Sequence, residues 1–285
     1  FTQEYHNTNR ARVPRDNSNN KKKQTSIYSL KMGIVAFNWA EEGNNQLTLV
    51  MNRDNWANRV ISKASWEGQI LSGRCQDNDG TWFAISERGR VAFLMSITLL
   101  DDQVDPNDGC EFYPIEFLKS NMSPLEFADH VEKLEAGRQK AWSYCLIVAD
   151  MASNSMVHIR KPNQDEPNVV KQTVNFGVHT LSPYNGLDSL VSARSKDLRL
   201  KHLFNEKIGD LGNVQLPQLI KFARDFMCKP EGERVGQDTM YVEMMARHPV
   251  SGLENQRFGT TSTTVLAVER TGGVKFFERY LLHGH

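Results

Sequence analysis

"LTLVMNRDNW", residues Leu47 to Trp56, begins as an apolar run with the character of a buried strand and then sets an amide, a guanidinium and a carboxylate side by side at Asn52, Arg53 and Asp54. Groups of this kind at a core edge have two uses. They terminate the strand, with Asn52 and Asp54 bonding local backbone amides and Arg53 pairing with a buried carboxylate. Alternatively, they line a site. The runs on either side decide what kind of core the strand belongs to.

Upstream, "GIVAFNW" is a second short apolar run, separated from the first by "AEEGNNQ", whose Gly and Asn supply turn conformations; the two pair most simply as a hairpin. Downstream, "TWFAIS" and "VAFLMS" flank "ERGR", where Gly89 takes a positive φ at no steric cost, so a second hairpin follows. Two hairpins supply most of a sheet. "SPLEFADHVEKLEAGRQK" reads as a helix, with Ser123 as cap, Pro124 in the first turn and Glu126 completing a capping box. Its apolar stripe is Leu125, Ala128, Val131 and Leu134, and Gly137 lies near its end. "AWSYCLIVAD" and "SMVHIR" return to strand character, and "LDSLVSARSKDLRLKHLFNEKI" and "LPQLIKFARDFMC" are helical in pattern. "STTVLAVER" and "VKFFERYL" close the chain as a hairpin across "TGG". Strands, then helices mixed with strands, give an α+β class rather than a doubly wound sheet.

Composition excludes several functions. With 34 basic and 34 acidic side chains the formal charge is zero, so no bulk field draws the chain to nucleic acid or anionic lipid. No apolar stretch approaches the roughly 20 residues of a membrane span. Cys75, Cys110, Cys145 and Cys228 have no metal-ligand spacing, and nothing resembles a secretory signal. The plain reading is reduced thiols, packed as small core side chains, in a cytoplasmic protein. His158 and His179 sit in apolar surroundings and read as satisfied core histidines, and Trp39, Trp66 and Trp82 as packing residues.

Residues 1–31 differ from the rest, with seven Lys or Arg against one Asp and one Glu and little apolar content. Such a segment buries too little surface to fold, so a disordered basic tail is expected ahead of one domain over 32–285. It reads as an organelle-targeting leader or as upstream sequence. On the second reading Met32 is the natural start, and Phe37 stands where a myristoylation pattern needs Ser or Thr.

The blocks "MGIVAFNW", "LVMNRDNW", "WEGQILSGRCQDNDGTWFAISERGRVAFLMS", "SPLEFADHVE", "CLIVAD" and "FGTTSTTVLAVERTGGVKFFERYL", in that order, resemble the NRDE family, better known as the transport and Golgi organisation 2 family. The wording of the blocks is most similar to plant members. The motif that names the family stands as Asn52, Arg53 and Asp54, with Asn55 replacing the expected Glu, and the "GTW" block is intact at Gly80, Thr81 and Trp82. The family is similar to the N-terminal nucleophile hydrolases, which implies an αββα sandwich.

In enzymes of that kind the residue after the initiator Met is a nucleophile activated by its own α-amino group, oriented by Arg and Asp at the end of the next strand. The resemblance therefore implies that Asn52, Arg53 and Asp54 are ligand-binding residues of such a pocket. This chain departs from the family twice: Gly33 replaces the usual Cys, and Thr261 in "FGTTSTT" replaces a common Arg. Both changes remove chemistry from one presumed pocket, so no catalytic residue and no enzyme activity is expected.

What the resemblance implies is a non-catalytic trafficking or binding protein that handles haem or another hydrophobic carboxylate, with a Golgi or mitochondrial association. Arg53 would pair with the ligand carboxylate. An amide or thioester hydrolase, or a binder of acyl-coenzyme A or another lipid, is the alternative.

Overall fold

The computed structural model describes residues 33–57, 59–97, 109–138, 143–162, 168–183, 185–188, 196–228, 240–246 and 257–280. They belong to a unit spanning Met32–His285; the basic tail expected over 1–31 lies outside the described residues.

The strands in chain order are β1 (Ile34–Trp39), β2 (Asn45–Trp56), β3 (Ser65–Glu67), β4 (Ile70–Ser72), β5 (Phe83–Ser86), β6 (Arg90–Ile97), β7 (Ser143–Asp150), β8 (Ser155–Lys161), β9 (Val170–Thr173), β10 (Gly177–Ser182), β11 (Gly186–Leu187), β12 (Met245–Ala246), β13 (Arg257–Glu269) and β14 (Val274–Tyr280). The helices are α1 (Tyr113–Lys119), α2 (Pro124–Ala136), α3 (Lys196–Ile208) and α4 (Leu216–Phe222), the last running into one π-type turn over Ala223–Met227. Among these residues no helix is long and apolar enough to cross a membrane.

Two antiparallel sheets result. One has the order β11-β10-β1-β2-β13, with β12 and β14 also paired to β13; the other is a meander from β3 to β9 in sequence order. Side chains alternate across a strand, so β1 divides its residues between two cores. Val35, Phe37 and Trp39 join Leu47, Leu49 and Met51 of β2 against Ile85, Val91 and Phe93 of the second sheet. Ile34 and Ala36 turn the other way, with Val50, onto Leu200 and Phe204 of α3 and Leu219 and Phe222 of α4. Helices α1 and α2 pack on β5 to β8 of the second sheet. The architecture is an αββα sandwich, α+β in class. Phe37 meets Phe93 edge-on across the sheets at 5.3 Å, and burying a ring of that size contributes about 2–3 kcal/mol.

Three sequence expectations change. The first two hairpins do not share a sheet: β1–β2 lies in one and β5–β6 in the other, and the second long edge of β2 is taken by β13 from the far end of the chain. The stripe of α2 is rotated. Its cap and capping box form at Ser123 and Glu126, but Leu125 and Leu134 are exposed, whereas Phe127, Ala128, Val131 and Glu135 face inward. Phe127 packs edge-on with Phe117 at 5.2 Å, and Glu135 pairs with the buried Lys161 at 2.7 Å, which fixes that face. Finally, Leu187 belongs to β11 rather than to a helix, because it pairs with Leu181; residues 189–195 of that expected helix lie outside the described residues.

Candidate functional site

Strand periodicity separates the three motif residues before any chemistry is considered. Arg53 shares the inter-sheet face with Leu49 and Met51, whereas Asn52 shares the helical face with Val50. Opposite them, β13 carries a bulge: Thr260 pairs with Asp54 and Ser262 with Arg53, leaving Thr261 as the extra residue. The Thr261 hydroxyl donates to the Arg53 carbonyl at 3.1 Å.

Arg53 is buried at 7% exposure, its guanidinium carbon 3.3 Å above the centroid of the Trp82 ring. No carboxylate among the described residues pairs with it. Glu111, whose charge acts on it, is already held by Arg59 through two bonds of 2.8 and 2.7 Å and by Asn78 at 3.0 Å. Nη1 of Arg53 is buried with no hydrogen-bond partner among the described residues. Burial, aided by the Arg59 charge and opposed by Glu111, pushes the Arg53 pKa down to about 9. Burial alone would raise the Glu111 carboxyl, but Arg59, Asn78 and the nearby Arg53 hold it below the usual carboxylate range.

These groups surround a cavity of about 30 Å³ lined by Gly33, Arg53, Asp54, Trp82, Met95 and Glu111 among others. Asp54 Oδ1 accepts the Thr260 hydroxyl at 2.7 Å. Gly33 sits just before β1, where Ile34 pairs with Asn52; a Cβ at Gly33 would lie 2.5 Å from the Asn52 carbonyl oxygen and 3.2 Å from Met95 Sδ. The position has neither a side chain nor ready room for one.

Arg53 and Asp54 thus meet at one cavity. Asn52 does not line it: its Nδ2 donates to the carbonyls of Met227 at 2.7 Å and Met240 at 3.2 Å, and its Oδ1 accepts from the Thr263 hydroxyl at 2.7 Å. It fastens the layer around α4 to the sheet. The strand-end reading, with Asn52 on backbone amides and Arg53 on a carboxylate, is replaced by carbonyl acceptors for the one and an aromatic face for the other.

Trp82 is both packing residue and site wall, but Trp66 is exposed. His179 is satisfied by Asp188 at 2.6 Å and the Asn175 carbonyl at 2.8 Å. His158 is not: neither ring nitrogen has a partner among the described residues. The four cysteines are free and buried. The Arg59–Glu111–Asn78 network escaped the sequence reading. Its only trace was a second Arg six positions after Arg53.

Comparison with known proteins places this geometry in a family. Among solved structures, the chain is similar to the N-acylethanolamine-hydrolyzing acid amidase ortholog of Caenorhabditis elegans, at 10% identity and TM-score 0.43 over 82% of this chain and 92% of that one. It is also similar to a conjugated bile acid hydrolase from Clostridium perfringens, at 9% identity and TM-score 0.45 over 89% and 97%. The Transport and Golgi organization 2 homolog of Mus musculus is 26% identical over 83% of this chain and 87% of its own length. The Bos taurus homolog is 25% identical with the same coverage. Since residues 32–283 match the family described as Transport and Golgi organisation 2, the chain belongs to that family.

Proposed function

We propose that this chain is a non-catalytic binding protein of the transport and Golgi organisation 2 type, and that the Arg53 cavity takes the carboxylate head of an apolar ligand. The observation that carries this reading is the Nη1 of Arg53, buried, charged and without a partner among the described residues, at the wall of a cavity. Leaving a buried donor unmet costs about 1–3 kcal/mol, and a ligand carboxylate would relieve that cost through a charge-assisted bond. The cavity accommodates a head group only. Of haem, one propionate would enter and the macrocycle would remain outside; the same holds for the chain of a fatty acid.

Hydrolysis is not part of the proposal. Gly33 carries no nucleophile, and β2 leaves little space for one. A carboxylate must share the cavity with Asp54, which is why the charge of the head group is the quantity to test. Palmitate and haemin are titrated against the protein by calorimetry and absorbance, with palmitamide as the uncharged control. Saturable binding of a carboxylate, weakened at least tenfold by Arg53→Ala and less by Arg53→Lys, is expected. Equal affinity for palmitate and palmitamide would sink the charge-recognition reading, and turnover of palmitamide would restore the hydrolase.

A further inference from the structure

At the opposite end of β1 from Gly33 lies a second cleft, of about 490 Å³, bounded by the β1–β2 loop, the start of β10 and the loop after α3. That volume falls within the range of small-molecule sites, roughly 300–1,000 Å³. Asn38 lies at its floor. Strand alternation turns Asn38 away from the inter-sheet core, opposite Thr48 and Val178, and the residue is 8% exposed, yet its amide makes no hydrogen bond with the described residues. The neighbouring Thr48 hydroxyl is buried and has no partner among the described residues either. A largely buried amide that bonds none of the described residues and opens on a cleft is available to whatever occupies that cleft.

The rest of the wall states the sign of that partner. Glu41, Glu42 and Asp210 line the cleft, and no Lys, Arg or His lines it among the described residues. Helix α3 ends at Ile208, two residues before Asp210, and its C-terminal partial negative charge adds to theirs. Arg270, behind the β1–β2 loop, is spent on the carbonyls of Gly43 and Ala40. One apolar wall is the ring of Phe176, 42% exposed and stacked on the buried Trp39 at 5.6 Å; an exposed aromatic face attracts a cation.

The walls are fixed in place. Gly43, at φ +96°, approaches Gly212 so closely that a Cβ would lie 2.6 Å from the Gly212 carbonyl oxygen, and Asn45 N donates to that same oxygen at 2.8 Å. Asn44 N also donates to Asn213 Oδ1 at 3.1 Å. With the bond from Asn45 Nδ2 to the Val214 carbonyl at 2.8 Å, this clasp holds the two acidic loops together.

We propose that this cleft is a second ligand site, for a small organic cation bearing ammonium N–H groups. The Asn38 amide oxygen accepts from the cation, Glu41, Glu42 and Asp210 supply the opposing charge, and Phe176 covers the aliphatic part. The proposal is independent of the Arg53 cavity.

The probe is 1,4-diaminobutane, titrated calorimetrically into the full chain, with 1,4-butanediol as the uncharged match and the Asn38 side-chain amide followed by nuclear magnetic resonance. Saturable binding at one diamine per chain is expected, with a shift of the Asn38 amide signals and no binding of the diol. The double change Glu41→Gln with Asp210→Asn should weaken it at least tenfold and Phe176→Ala several-fold, while Glu206→Gln, an exposed carboxylate on α3 outside the cleft, should leave it unchanged. All four positions are exposed, and Asn at 210 keeps an oxygen for the Asn213 amide, so these variants are expected to fold. Unsaturable binding, an unmoved Asn38 amide, or an equal loss in Glu206→Gln would show only diffuse attraction to surface carboxylates and overturn the site.

Discussion

The guanidinium of Arg53 lies 3.3 Å above the Trp82 ring and pairs with no carboxylate among the described residues. A desolvated contact of this kind contributes about 2 kcal/mol or more and holds a charge that burial disfavours. The fold gains little from such a charge. Arg53→Met is therefore expected to leave stability unchanged or raise it by about 1–2 kcal/mol, as replacement of buried charge by apolar volume often does. Trp82→Leu should lose about 2–4 kcal/mol, since it removes packing and leaves the charge uncovered. Urea denaturation of both variants measures this. Equal losses would mean that Arg53 serves the fold and not a ligand.

Gly33 supports a second prediction. A Cβ there would crowd the Asn52 carbonyl oxygen at 2.5 Å, a backbone atom that cannot swing aside. Gly33→Ala and Gly33→Cys should each lose about 1–3 kcal/mol, as overpacking does. The thiol is expected to add no amide or thioester turnover above background. A Gly33→Cys protein as stable as its parent and active on a thioester would mean that the strand end readily opens for a nucleophile.

How much of this was legible follows from what determines each feature. Local features were: the β1–β2 turn, the hairpin at Gly89 (φ +74°), the Ser123 capping box and the closing hairpin at Gly272 (φ +89°) all depend on adjacent residues and formed as read. The assignment of hairpins to sheets was not, because β2 chooses between β13 and β5 by contacts some two hundred residues apart. The inward face of α2 was misread for a related reason: Leu125 is more apolar than Glu135, but a partner Lys161 on another strand made burying the carboxylate favourable. At the site, adjacency grouped Asn52, Arg53 and Asp54, whereas the two-residue period of the strand sends Asn52 to the other face. That period was available in the sequence. What it lacked was Trp82 beneath Arg53 and Glu111 already committed to Arg59.

Asn52 therefore supports a separable prediction. Asn52→Ala would take the amide donor from the Met227 and Met240 carbonyls in the interior and leave the Thr263 hydroxyl only the Cys228 thiol at 3.6 Å. A loss of about 2–4 kcal/mol is expected from those unmet groups. Because its side chain faces away from the cavity, ligand affinity at Arg53 should stay within twofold under conditions where the variant is folded. Lost binding in a fully folded Asn52→Ala protein would place Asn52 in the site.

The last prediction concerns acid stability and rests on His158. It lies on β8 between Ile147 of β7 and Gln172 of β9, is 3% exposed, and has no partner on either ring nitrogen among the described residues. Burial first, then the charge of Arg160, pushes its pKa from 6.5 down to about 4, with Asp188 opposing weakly. The folded imidazole thus stays neutral between about pH 4 and 6.5 while the unfolded one takes up a proton, so stability is lost as pH falls through that window and levels off below it. From pH 7 to pH 5 the expected loss is about 2 kcal/mol. The depressed carboxylates Glu111 and Asp188 add their losses only as pH falls below their unfolded values of 4.5 and 3.8. Glu278, whose carboxyl burial raises, acts oppositely: the folded state protonates first, so its contribution grows as pH falls. His158→Leu, which keeps a similar volume, separates these terms. The parent should lose about 2 kcal/mol more than His158→Leu between pH 7 and pH 5 in denaturant titrations. Parallel pH profiles for the two proteins would mean that His158 finds a proton partner in solution, and that its burial does not set the acid limit of this fold.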